Sequence, residues 1–76
     1  MKKTKIKLDA IDDVKEFVNI VSHCEYDVDL ASGRYAVDAK SIMGIFSLDL
    51  GNAIDLTAHT DNADAFFAKI DKFIVK

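Results

Sequence analysis

The sequence contains no proline, only three glycines and a single cysteine, Cys24. With so few breakers, no linker, repeat or low-complexity segment divides the chain, which reads as tightly connected elements. A lone thiol cannot close an internal disulfide, and no zinc-ligand spacing accompanies it. Such cysteine usage suits the reducing cytosol, so a cytoplasmic protein without metal or cofactor is expected. No apolar run is long enough to span a bilayer. The basic start Met1-Lys2-Lys3-Thr4-Lys5 lacks the apolar stretch that would make it a signal peptide. An excess of positive charge is also missing. A net charge of −3 and a pI of about 5.1 leave nothing to hold a polyanion over a whole face, which argues against nucleic-acid binding. A Gly-rich phosphate loop and a catalytic triad are missing too.

What is present is globular in character. Half the residues are hydrophobic and 30% are charged, and 76 residues make one domain without room for a second core. Ile6 and Leu8 alternate with Lys5 and Lys7, the period of a half-buried strand. Asp9, Asp12 and Asp13 suit a helix start, and Ile11, Val14, Phe17, Val18 and Val21 follow at helical spacing. Tyr26, Val28 and Leu30 predict a second strand. Ser32-Gly33 is a turn, and Tyr35 and Val37 predict a third strand that closes a hairpin with the second. Lys40 to Leu50 predicts a short helix with Ser41 as its N-cap. Gly51-Asn52 breaks the chain before a fourth strand over Ile54, Leu56 and Ala58. The last helix opens at Asp61-Asn62-Ala63-Asp64. Its apolar face is Ala63, Phe66, Phe67, Ile70, Phe73 and Ile74, and Lys69, Lys72 and Lys76 lie toward its negative end. The order is βαββαβα. Every strand has one polar face, which predicts an α+β open-faced sandwich: four antiparallel strands with three helices on one side. The lysines of the first strand should share the outer face with Asp27, Asp29 and Asp55 as cross-strand charge partners.

One segment carries a resemblance. Lys40-Ser41-Ile42-Met43-Gly44-Ile45-Phe46-Ser47-Leu48 is very similar to the regulatory-serine segment of HPr proteins, the histidine-containing phosphocarriers of the sugar phosphotransferase system. That segment reads K-S-I-M-G, two hydrophobic residues, then S-L, and the element order agrees along essentially the whole chain. In the family a H-A-R-P motif at the start of the first helix carries the phosphate on histidine, with arginine steadying it. Counting back without gaps from Ser41 places this motif on Ala10-Ile11-Asp12-Asp13. Alanine then stands at the histidine position, and Asp12 and Asp13 at those of arginine and proline. The resemblance therefore implies a divergent member, similar in logic to the catabolite-repression homologue that lacks the phosphocarrier histidine and keeps the regulatory serine. Ser41 matches the serine modified by HPr kinase, although serine is also an ordinary N-cap. Ile42, Met43, Phe46 and Ser47 match positions that dock onto sugar-transport enzymes and a transcriptional regulator. Phe46 could equally tuck over the sheet edge, or the patch could form a homodimer. Asp49 departs from the small residue usual in the family and bears on partner choice. The remaining candidates for a relocated phosphate are His23 and His59; each is more simply a surface histidine. Cys24 is best explained as a half-buried structural residue.

Overall fold

In a computed structural model, which describes residues 1–48 and 50–75, the elements follow the order expected from the pattern. They are β1 (Lys2–Ile6), α1 (Ile11–Val21), β2 (Val28–Ser32), β3 (Tyr35–Asp38), α2 (Ile42–Phe46), β4 (Ile54–Ala58) and α3 (Asp64–Lys69), closed by a 3₁₀ turn over Asp71–Phe73. The four strands form one antiparallel sheet in the order β1-β4-β2-β3.

Alternation along the strands sorts the sheet into two faces. Ile6, Val28, Leu30, Ile54, Leu56 and Ala58 point inward and are fully buried. Lys5 pairs with Asp55 and Lys3 with Thr57, while Asp29 also pairs with Thr57, so opposite charges share the outer face. The inner face is covered by Val14, Phe17 and Val21 of α1, Ile45 and Leu48 around α2, and Phe66, Ile70 and Phe73 at the C-terminal end. Phe17 and Phe73 meet edge to face at 6.2 Å between ring centroids, a contact worth about 0.5–1.5 kcal/mol beyond its area. No polar or charged side chain is buried among the described residues, so the core pays no desolvation cost.

Five details differ from the pattern reading. Leu8 lies beyond the end of β1 but is fully buried. Tyr26 precedes β2 instead of pairing in it, and its ring packs edge-on against Phe66. Ile11 is 61% exposed; at about 100° per residue it falls at the margin of the α1 stripe, on the first turn, beside the half-buried Val18 side. α2 is shorter than Lys40 to Leu50, and Asp49 lies outside the described residues. The last helix ends at Lys69, after which Ile74 forms an antiparallel bridge with Ile6. The Val75 N–H donates to the Lys5 carbonyl at 2.8 Å, so chain 73–75 covers the β1 edge. Lys76, read as a helix-end cation, lies outside the described residues.

Gly33 turns the β2–β3 hairpin at φ +60°, with open space where a Cβ would sit. Gly33→Ala should therefore cost about 1 kcal/mol through backbone conformation alone, and Gly33→Asn less. Phe17→Ala should cost about 3–5 kcal/mol, a large part of the stability of so small a domain. Urea titration followed by circular dichroism checks all three.

Candidate functional site

The sequence motifs converge on two helix starts. At the first, Ala10 takes the N-cap position of α1 with extended backbone (φ −116°, ψ 161°). Alanine offers no oxygen to the free N–H groups of the first turn. Asp13 instead reaches back from within the helix to the two amides that precede them. Its Oδ2 accepts from the Asp9 N–H at 3.2 Å and the Ala10 N–H at 3.3 Å, half of a capping box. The Asp12 side chain, in the same turn, has no hydrogen-bond partner among the described residues and adds negative charge near the positive helix end. Lys7 approaches Asp9 at 3.8 Å, an exposed pair worth little. A carboxylate thus already sits on the amides that lead into this helix.

At the second start, Ser41 caps α2 and its Oγ accepts from the Gly44 N–H at 3.2 Å. Ser41 is exposed, with an extended backbone suited to an N-cap. α2 lies against β3 closely enough that a Cβ on Gly44 would come within 3.2 Å of the Val37 Cβ. Ile45 is fully buried and Leu48 nearly so, which turns the next residues outward. Met43 is 75% exposed and Phe46 37%. Ser47 is exposed and donates from Oγ to the Gly44 carbonyl at 2.6 Å. Ile42 is half-buried against the core, so it contributes only a margin to this surface.

The histidines lie elsewhere. His59 follows β4, and its Nε2 is 2.6 Å from Asp29 Oδ2 on the outer sheet face. That carboxylate opposes any anion at the ring. His23 follows α1, with Nδ1 2.7 Å from the Asn19 carbonyl. It lines a cavity of about 140 Å³ with Lys69, Cys24, Tyr26, Ile20 and Phe66. Cys24 is half-buried, as expected. Its carbonyl accepts from Lys40 Nζ at 3.1 Å, tying the chain after α1 to the start of α2. Burial raises the pKa of the neighbouring Tyr26 phenol, and the Cys24 thiol adds to the shift.

The family model described as "PTS HPr component phosphorylation site" matches residues 13–76, well over half of the chain. The chain belongs to the HPr family. Two solved structures share the fold of this HPr-family chain. One is HPr-C-His from Thermoanaerobacter tengcongensis, 25% identical, with a TM-score of 0.78 and coverage of 95% of this chain and 89% of that one. The other is the phosphocarrier protein HPr from Bacillus anthracis str. Ames, 20% identical, with a TM-score of 0.74 and coverage of 97% and 96%. No curated protein gives a significant match. The family match begins at Asp13, inside the first turn of α1, and leaves Ala10 and Asp12 outside it. HPr proteins are phosphocarriers that work by contact with other proteins of the phosphotransferase system. No helix among the described residues is long and apolar enough to cross a membrane.

Pattern reading placed Ile11 in the core and missed it as an exposed apolar residue at the α1 start. The available signal was its place at the edge of the helical stripe. Tyr35, 72% exposed, was also missed, because alternation assigned it to the inner face without showing that no helix covers it.

The two acids of the α1 start can be separated experimentally. Asp13→Ala removes the side-chain acceptor of the Asp9 and Ala10 amides and should lower stability by about 1 kcal/mol. Asp12→Ala should change it by less than about half that, since it breaks no hydrogen bond. Thermal unfolding of both variants checks the difference.

Proposed function

We propose that this HPr-family chain is a regulatory or adaptor protein and not a competent phosphocarrier. The observation that carries the reading is the α1 start, where Ala10 is the N-cap and the Asp13 carboxylate occupies the neighbouring amides. Phosphoryl transfer there needs a nucleophile and compensating positive charge. Alanine supplies no nucleophile. An incoming phosphoryl group would meet carboxylates; two unit charges about 4 Å apart repel by roughly 1 kcal/mol even in water, and more where solvent is excluded.

Regulation is assigned to Ser41. Phosphorylation by the family's ATP-dependent serine kinase would add about −1.5 to −2 charge at a helix start, a placement that backbone amides favour. The modified residue stands two positions from Met43, so the new charge borders the apolar surface of Met43 and Phe46. These two, with Ser47 and the margin of Ile42, are the docking residues for a transcriptional regulator or a sugar-transport enzyme. A flexible Met beside an aromatic ring adapts well to a protein partner. The setting is the cytoplasm.

A second reading keeps phosphocarrier activity on His23, because Lys69 lines the same cavity. Against it, His23 stands at the negative end of α1, where an anion is disfavoured.

Intact mass distinguishes the two. With phosphoenolpyruvate and the phosphohistidine donor enzyme, the wild type should gain no acid-labile phosphate. With ATP and the serine kinase it should gain one acid-stable phosphate, and Ser41→Ala none. Acid-labile label that disappears in His23→Ala would overturn the regulatory reading and establish the second.

A further inference from the structure

The sheet extends past its helical cover at the β2–β3 end. Ser32 and Tyr35 are register partners, two positions along from the Leu30–Val37 pair. Alternation therefore points them to the helix side. The helix that would cover them, α2, ends at Phe46. The result is a cavity of about 360 Å³ lined by Ser32, Gly33, Arg34, Tyr35, Ser47 and Leu48, a size at the low end of sites that take a small ligand or a few side chains. Its floor is apolar, with Leu48 almost fully buried, and its wall is the exposed Tyr35 ring.

Its charge is distinctive. Arg34 is the only arginine of a chain with net charge −3. It makes no hydrogen bond or ion pair with the described residues. The left-handed turn at Gly33 sets it at the cavity wall. A guanidinium unpaired among the described residues, beside an aromatic ring and an apolar floor, suits a carboxylate whose neighbour is apolar, since the planar fork binds carboxylate oxygens in pairs. Ser47 lines the cavity four residues after Met43, so the two share one side of α2 and the cavity continues the exposed Met43 surface.

We propose that this shelf between the β2–β3 turn and the end of α2 is a docking pocket for an acidic segment of a partner protein, with the carboxylate on Arg34 and an adjacent apolar side chain on Tyr35 and Leu48. The inference deepens the docking reading of α2 and rests on it only for the part played by Met43.

The test pans a phage-displayed random peptide library against the full chain and titrates recovered peptides by amide NMR. The expected peptides carry Asp or Glu within one or two residues of an aromatic or aliphatic residue. They should shift the amides of residues 32–35 and Ser47, and weaken by about tenfold or more in Arg34→Gln, the loss of one charge-assisted pair. Arg34 is exposed, so the fold should survive, as the unperturbed remainder of the spectrum would show. Failure to recover peptides, recovery of basic or uncharged ones, or binding indifferent to Arg34→Gln overturns the proposal. So do equal shifts with sodium acetate alone, which indicate a simple anion site, or concentration-dependent shifts without peptide, which put a second copy in the pocket. Arg34-dependent peptides that ignore Met43→Ala and Phe46→Asp would leave the pocket standing and remove the α2 docking reading. Binding that depends on Met43 and Phe46 but not on Arg34 would do the reverse.

Discussion

A four-stranded sheet with one apolar face has to be covered, and most of this molecule follows from how it is covered. Ile6, Val28, Leu30, Ile54, Leu56 and Ala58 form a continuous apolar surface, and each buried Ile, Leu or Val contributes about 1.5–3 kcal/mol only while that surface stays dry. α1 supplies Phe17 to its middle, and the C-terminal segment supplies Phe66, Ile70 and Phe73. Lys72 of the 3₁₀ turn pairs with Glu16 of α1 across the top of the helical layer. The third cover, α2, is five residues long. It therefore shields the middle of β3 at Val37 and leaves the hairpin end open. The same limited cover exposes Met43 and Phe46, because a short helix with Ile45 and Leu48 committed inward has its other side in solvent.

The electrostatics of α1 follow from a similar constraint. Every helix start leaves N–H groups without partners inside the helix. Proteins fill them with a capping side chain, water or a bound anion. Here an internal carboxylate reaches back to the Asp9 and Ala10 amides. The negative charge of Asp13, together with that of Asp12, offsets the positive potential that could steady a foreign anion. Under the proposed regulatory reading, the side chain of Ala10 and the nearby carboxylates act separately against phosphoryl transfer at this turn. Ala10→His alone would leave Asp12 and Asp13 in place.

Much of this was legible from residue order. Strict alternation located all four strands, because one solvated face forces a period of two. The spacing of Val14, Phe17 and Val21 located α1, and Ser41 was readable as a cap because its hydroxyl suits a free helix amide. The K-S-I-M-G segment carried the family. Helix lengths were less legible. Periodicity continues from Phe66 through Ile70 to Phe73 whether or not the backbone stays helical, and a 3₁₀ turn buries Phe73 as well as another helical turn would. Ile74 fits the apolar face of a helix by spacing, but it finds a strand partner in Ile6. Tyr26 alternates correctly and yet lies outside β2, since the strand starts where β4 offers a partner, at Val28 opposite Ala58. The shelf at Arg34 could not be read from the sequence, because it depends on where α2 stops relative to the β2–β3 hairpin, a matter of tertiary placement.

α2 links the Met43 surface to the Arg34 shelf. Five residues are too few to hold a helix in water on propensity alone. This one persists because Ile45 and Leu48 are buried, Gly44 allows close approach to Val37, and Ser41 caps its start. Gly44 is the weak position, since glycine in a helix costs up to about 1 kcal/mol relative to alanine. Here the close packing on Val37 leaves little room for anything larger. Under the proposed regulation, a phosphate on Ser41 would add negative charge where the helix favours it and firm the first turn. The end of that helix forms one side of the Arg34 shelf. Ser41, the N-cap, and Ser47, which lines the shelf, thus flank the same five-residue helix, so the proposed modification and the proposed docking surface share α2.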